Sequence, residues 1–242
     1  SDRIYIDSNS GYFSNMIYIR RLKDFITRPL LEDGGFLRDR DTAQKKSSFE
    51  SLNSSSVFSH GSRNGKKRVA LVFDAMDDMD GIASILYTLK KNNISSTFFI
   101  NGEAMRQNPN AVKEIVKSGH QCGSLFFTTW NLNDTGYRID DNFIKQGLAR
   151  NEDNFYSLTG SELSLIWHTP HYISSSLIVN AGKNAGYVFI SPDVRVADWL
   201  SPDEKFAVPS LYKTSAELIE DIADSVQTGS IIPIRIGRAL SN

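Results

Sequence analysis

Acidic and imidazole side chains follow the predicted strands of this chain at several points. Asp74 comes directly after an apolar, β-branched run, His168 and His171 follow a second such run, and Asp198 lies in the segment VRVADWL. A carboxylate can act as a general base, and an imidazole can transfer protons or bind a metal. These residue types suit hydrolysis by an activated water, provided that the fold brings them together.

The chain alternates strand and helix from residue 68 onward. Short apolar segments predict strands at 69–73, 96–100, 121–124, 163–167, 187–190 and 231–236. Amphipathic segments, most of them ended by glycine, predict helices at 81–92, 111–118, 140–158, 174–185 and 215–227. Repeated strand–helix units imply parallel strands, in an α/β barrel or an open sheet. In both architectures the active site lies at the carboxyl ends of the strands.

The composition of the chain limits the classes of function that the sequence supports. The chain has 242 residues and a net charge of −1, which gives no support for a nucleic-acid partner or an anionic membrane surface. Cys122 is the single cysteine, so no intrachain disulfide can form. The sequence has no apolar run long enough for a transmembrane helix and no visible signal peptide at its start. The oligomeric state stays open.

The sequence divides into two regions of different composition. Residues 1–66 form a predicted N-terminal extension or linker, because 41–66 are rich in Ser, Lys, Asn and Gly. Within this extension, residues 16–27 favour a short helix. Residues 67–242 form the predicted main domain.

Four motifs in this domain resemble the polysaccharide deacetylase family, NodB-like proteins of carbohydrate esterase family 4. In chain order they are ALVFD, TFFINGE, the segment NPNAVKEIVKSGH and GSIIPI. The resemblance implies a distorted (β/α) barrel of mostly parallel strands. Family members continue through a further helix and strand that close the barrel. Here either the chain is truncated, the barrel is open at its C-terminal side, or residues 1–40 fill the gap.

The same resemblance places other residues at the metal-ligand positions of the family. It maps Asp74 onto the general base and Ala75 onto an aspartate ligand, and it maps Leu125 and Thr129 onto two histidine ligands. Alanine and leucine have no lone pair to donate, and threonine is a poor ligand for a zinc-like ion. We therefore expect no family metal site. Asp77 and Asp78 either substitute as ligands or supply negative charge at a helix N-terminus.

Two further family positions are also changed. His168 stands where an arginine braces the catalytic aspartate, and His171 stands at a tyrosine position. Together with Asp74 they either build a non-family site for a divalent metal such as zinc or line a groove. Arg235 stands at the position of the general acid, where a permanently protonated guanidinium cannot serve. We predict that Asp74 pairs with Arg235 or His168 as a replacement for the metal charge.

The Asp198–Trp199 pair resembles a family segment in which the aspartate orients the catalytic groups and the tryptophan lines the substrate groove. The predicted catalytic residues are Asp74, His168 and Asp198. The predicted substrate-binding residues are His171, Tyr172, Trp199 and Arg235.

Two functions follow from the resemblance. In the first, the domain has lost metal-dependent deacetylation, needs no cofactor, and is retained for glycan binding or a structural role. In the second, it hydrolyses carbon–nitrogen bonds of N-acetylated amino sugars with a rebuilt site. The family resemblance also implies a location outside the cytoplasm, in the cell envelope or secreted.

Overall fold

Seven parallel strands form a curled half-barrel that is open on one side, with helices packed outside it. The computed structural model of this chain describes residues 26–27, 57–64, 66–134, 136, 138–196, 198 and 212–237. The predicted architecture of mostly parallel strands in a barrel-like sheet is confirmed.

The strand bounds are β1 Ile26–Thr27, β2 Val57–Phe58, β3 Arg68–Ala75, β4 Thr97–Ile100, β5 Gln121–Ser124, β6 Ile166–Trp167, β7 Val188–Ile190 and β8 Ile231–Arg235. Seven of these strands follow one another along the sheet in the order β2-β7-β6-β5-β4-β3-β8. The remaining two-residue strand, β1, also pairs in parallel with β3.

Six helices among the described residues connect these strands. Their bounds are α1 Ile82–Lys91, α2 Gly102–Gln107, α3 Pro109–Lys117, α4 Asp141–Thr159, α5 Ser176–Asn184 and α6 Ser215–Ser225. Glycine ends α4 as predicted, because Gly160 takes the left-handed conformation (φ 69°) that other residues adopt at a cost. None of these helices has the length and apolar character that crossing a membrane requires.

The two faces of β3 pack in different layers. Val69, Leu71, Phe73 and Ala75 belong to the cluster that packs with residues of the outer helices. The alternate residues Ala70 and Val72 belong to a second cluster with residues of neighbouring strands, and Asp74 continues their face at the carboxyl end of the strand. Asp74 and Ala75 therefore point to opposite sides of the sheet.

Residues within the predicted linker at 41–66 take part in the sheet and its contacts. Val57 and Phe58 pair with β7, and Arg63 forms an ion pair with Asp193 at 2.6 Å. The Asp193 carboxylate also accepts a hydrogen bond from the backbone N–H of Ile231 at 2.7 Å. These contacts link the segment before β3 and the loop after β7 to β8, across the open side.

Several predicted element bounds were wrong by a few residues. The predicted strand 163–167 is reduced to two residues, since the chain at 163–165 pairs only partly with its neighbours. Residues 26–27, predicted at the end of a helix, are extended and pair with β3. The rest of the predicted helix 16–27 lies outside the described residues.

Candidate functional site

Asp74 is the centre of a buried polar cluster at the carboxyl ends of the strands. His168 Nε2 lies 3.1 Å from Asp74 Oδ1, and the Tyr172 hydroxyl donates to the same oxygen at 3.0 Å. Asp74 is 7% exposed and His168 is fully buried. The predicted pairing of Asp74 with His168 is therefore present in the structure.

Both ring nitrogens of His168 face oxygen atoms. Its Nδ1 lies 2.8 Å from the carbonyl oxygen of Thr169, and its Nε2 faces the Asp74 carboxylate. A carbonyl oxygen only accepts, so Nδ1 must carry a proton, and Nε2 can donate to a carboxylate only when it carries one too. A ring protonated on both nitrogens would compensate the negative charge of Asp74, which the fold buries.

Aromatic rings enclose the imidazole of His168. Tyr172 stacks on it with centroids 3.9 Å apart, and Phe99 meets it edge-on at 4.4 Å. Burial raises the pKa of Tyr172 well above its usual value, and the negative charge of Asp74 adds to the effect. The Tyr172 hydroxyl therefore stays protonated and acts as a donor.

Asp198 forms the second acidic position of the site. Its Oδ2 accepts a hydrogen bond from the backbone N–H of Arg235 at 2.7 Å, which ties the loop after β7 to the end of β8. Burial raises the pKa of Asp198, the Arg235 N–H lowers it and the nearby charge of Asp74 raises it, and the resulting pKa is about 7. Trp199, predicted to bind substrate, lies outside the described residues.

The guanidinium of Arg235 lies 4.0 Å from Asp77, measured between Nη2 and Oδ1. Of the two counter-ions predicted for Asp74, His168 is the one that contacts its carboxylate. The prediction that Asp77 and Asp78 supply charge at a helix N-terminus was wrong, because α1 begins only at Ile82 and has no acidic residue in its first turn. Asp77 and Asp78 instead accept backbone N–H groups within the turn before the helix.

Two of the three residues that the resemblance maps onto metal-ligand positions are buried hydrocarbon side chains. Ala75 and Leu125 are both completely buried, in different core clusters. The backbone oxygen of Thr129 lies 3.2 Å from Nε2 of the exposed His171. Within the described part of the chain, no three His, Cys, Asp or Glu side chains are grouped so as to hold a metal ion. Asp74, His168 and His171, predicted as a possible non-family metal site, do not form such a group.

Two residues at the strand ends have strained backbones. Tyr172 follows β6 with φ 56°, and Phe126 follows β5 with φ 63°. Left-handed conformations are costly for residues other than glycine, and they concentrate at functional sites. The strain at Tyr172 is offset by its hydrogen bond to Asp74 and by its stacking on His168.

Two buried asparagines that support the site were missed in the sequence. Asn101 donates through Nδ2 to the carbonyls of Leu125 and Thr128, both at 2.8 Å. Asn151, on α4, donates to the carbonyl of Ile100 and to the Ser124 hydroxyl, both at 2.9 Å. Asn101 could have been found, since it is the polar residue that ends the strand in the TFFINGE motif. Asn151 has no such signal, because it looks like any polar residue of a helix.

Comparisons with known proteins agree with this geometry. The family model described as Polysaccharide deacetylase matches residues 61–190. An uncharacterized 30.6 kDa protein of Geobacillus stearothermophilus is 30% identical over 140 residues, 58% of this chain and 51% of that protein. The peptidoglycan-N-acetylmuramic acid deacetylase PdaA of Bacillus subtilis is 26% identical over 140 residues, 58% of this chain and 52% of its own length. The chain thus spans about half the length of these curated relatives.

Solved structures share the fold. The structure of Bacillus subtilis PdaA superposes with a TM-score of 0.66 at 21% identity, over 78% of this chain and 76% of that one. A family 4 pseudoenzyme from Bacillus anthracis superposes with a TM-score of 0.61 at 20% identity, over 76% of this chain and 59% of that one. Because the family match covers more than half of the sequence, this chain belongs to the polysaccharide deacetylase family, with the NodB-like fold of carbohydrate esterase family 4.

Proposed function

We propose that this domain does not catalyse metal-dependent deacetylation and is retained to bind a glycan or to serve a structural role. The observation that carries the proposal is the contact of Asp74 with His168 at 3.1 Å. In this proposal the imidazolium supplies the positive charge that a metal ion supplies in other family members. Ala75 and Leu125 complete the replacement, since neither side chain can donate a lone pair.

The chemistry of the site supports this proposal. A metal-activated water and a matched acid and base supply much of the rate of such hydrolyses. Here the position of the base is hydrogen-bonded by both His168 and Tyr172, and the position of the acid is held by the guanidinium of Arg235. The fold alone does not require the activity, since a Bacillus anthracis protein of similar fold is named as a family 4 pseudoenzyme.

The experiment is metal analysis of the purified chain, with and without added zinc, cobalt or nickel, together with a deacetylase assay on N-acetylated oligosaccharides. We expect no stoichiometric metal and no release of acetate. Binding of the same oligosaccharides, measured by calorimetry, separates the glycan-binding role from a purely structural one. One tightly held metal per chain with acetate release would overturn the proposal.

One observation favours the alternative, an active hydrolase of N-acetyl amide bonds that uses a rebuilt site. The raised pKa of Asp198, about 7, is the range in which a carboxyl group can exchange protons at neutral pH. In this alternative Asp74 or His168 would act as base. Acetate release that is lost in both His168→Ala and Asp198→Asn, but persists in EDTA, would establish it.

The ligand and the location follow from the relatives by analogy. Matched relatives are named as deacetylases of peptidoglycan, a polymer of amino sugars in the cell envelope. We propose a peptidoglycan-type or related saccharide as the ligand, and the cell envelope or the outside of the cell as the location.

A further inference from the structure

A cavity of about 390 Å³ lies between α2 and α4, beside the loop that follows β5. Asp74, His168, Tyr172 and Asp198 do not line it, so the cavity is separate from the strand-end cluster. Its volume is at the lower end of the range of small-molecule sites, enough for about one or two sugar rings.

One face of α4 forms a wall of this cavity. Arg150, Asn154 and Leu158 all line it, and their spacing of four residues places them on one side of the helix. Phe127 lies opposite, with the guanidinium of Arg150 stacked 5.2 Å from its ring centroid. Stacking on an aromatic ring restrains the long arginine side chain, which lowers the entropy lost when it binds a ligand.

The charges around the cavity are unequal. Arg106 donates through Nε and Nη2 to Glu103 Oε2, at 2.9 and 2.7 Å, so these two charges compensate each other. Among the described residues, no carboxylate pairs with Arg150. The cavity therefore carries one uncompensated positive charge, presented on a planar group that suits two-point binding of a carboxylate.

Uncharged polar groups surround this charge. Asn154 supplies an amide, and Thr128 also lines the cavity. Phe127 and Leu158 supply apolar surface that suits the C–H face of a sugar ring. We propose that this cavity is a second ligand site, which binds a sugar that bears a carboxylate, with Arg150 as the residue that contacts the carboxylate.

The inference that the ligand is a saccharide rests on the proposed function, whereas the inference that it carries an acidic group rests on Arg150. Two amino sugars separate these parts: N-acetylmuramic acid and N-acetylglucosamine share the acetamido ring, and only the first carries a lactyl carboxylate. Titration calorimetry of the whole chain with each sugar should show N-acetylmuramic acid binding about tenfold more tightly, the usual effect of one charge-assisted contact. The difference should shrink as salt is added.

Matched variants test the site itself. Arg150→Gln should remove the preference for the acidic sugar, whereas Arg138→Gln should keep it, since Arg138 is 93% exposed and lies outside the cavity. Both variants remove one positive charge from the chain. An equal loss in both variants would show a nonspecific charge effect and overturn the proposal, as would equal affinity of the wild type for the two sugars.

A neutral oligomer of N-acetylglucosamine, titrated in parallel, keeps the two proposals apart. If it binds the wild type and Arg150→Gln equally and no acidic preference exists, the second site is wrong and glycan binding stands. If only the acidic sugar binds, and only with Arg150 present, the second site stands and glycan binding at the strand ends is wrong. NMR shifts confined to α2, α4 and the loop after β5 should accompany N-acetylmuramic acid.

Discussion

The ring of Tyr172 lies almost parallel to the ring of His168, with an angle of 10° between their planes. Stacking alone would not require a hydroxyl, but the Tyr172 hydroxyl also donates to the Asp74 oxygen that His168 faces. Three side chains thus satisfy one another at the carboxyl end of β3. Because they share one carboxylate oxygen, their contributions to stability should be coupled.

Replacing His168 should strongly destabilise the fold. His168→Ala leaves the Asp74 carboxylate buried beside no cation, and breaking a buried pair in this way costs about 3 kcal/mol. The double variant with Asp74→Asn should recover part of the loss, with a coupling of about 1–3 kcal/mol. Urea unfolding of the single and double variants measures both quantities.

The control is His171→Ala, which removes an exposed histidine three residues away and should cost less than about 1 kcal/mol. Equal losses at the two histidines, or strict additivity with Asp74→Asn, would contradict the ion pair.

Removing the Tyr172 hydroxyl tests the second contact to Asp74. Tyr172→Phe keeps the stacked ring and deletes a donor to a buried carboxylate, so it should lower the free energy of unfolding by about 1.5–3 kcal/mol. Tyr156→Phe, on an exposed part of α4, should change it by less than about 0.5 kcal/mol. Chemical denaturation of both variants gives the comparison. An unchanged free energy of unfolding in Tyr172→Phe would mean that the hydroxyl is satisfied by water instead.

Asp198 should make stability depend on pH. Its pKa is 3.8 in an ordinary environment and about 7 in the fold, so the folded chain binds the extra proton between these values. The contribution of Asp198 to stability is therefore fully present below about pH 4 and is lost as pH rises through about 7.

Asp198→Asn should remove this slope because an amide does not titrate in this range, and its oxygen can still accept the N–H of Arg235. Unfolding at pH 5 and pH 8 should show the variant gaining stability relative to the wild type at the higher pH. A difference that is the same at both pH values would show that Asp198 titrates normally in the fold.

Most strands and helices of this fold could be predicted from the sequence, whereas several side-chain contacts could not. Apolar β-branched runs and glycine helix ends identify most strands and helices, because burial and left-handed caps leave local signals. The pairing of Asp74 with His168 was also predictable, since a carboxylate at the end of a buried strand requires a partner. The stacking of Tyr172 was not, because it depends on a left-handed backbone at a residue that is not glycine.

The opposite facing of Asp74 and Ala75 was likewise missed. Adjacent residues of a strand point to opposite faces of the sheet. Because β3 continues through Ala75, this side chain packs in the cluster that contacts the outer helices. Motif alignment assigns both positions to one site and carries no information on where the strand ends.

A histidine at position 125 should not rebuild a metal site by itself. Leu125 is completely buried in a cluster with Phe99 and Ile166, so Leu125→His removes apolar packing and buries an imidazole, at a cost of about 3 kcal/mol or more. Added zinc should leave the melting temperature of this variant unchanged, because a zinc site needs at least three aimed ligands. The new imidazole would have to share the ion with Asp74, which already contacts His168 and Tyr172.

Leu125→Ala is the control for lost packing alone. A zinc-dependent rise of several degrees in Leu125→His, absent from Leu125→Ala, would mean that Asp74 and His168 can reorient as ligands, and that the cluster is an adaptable metal site rather than a replacement for one.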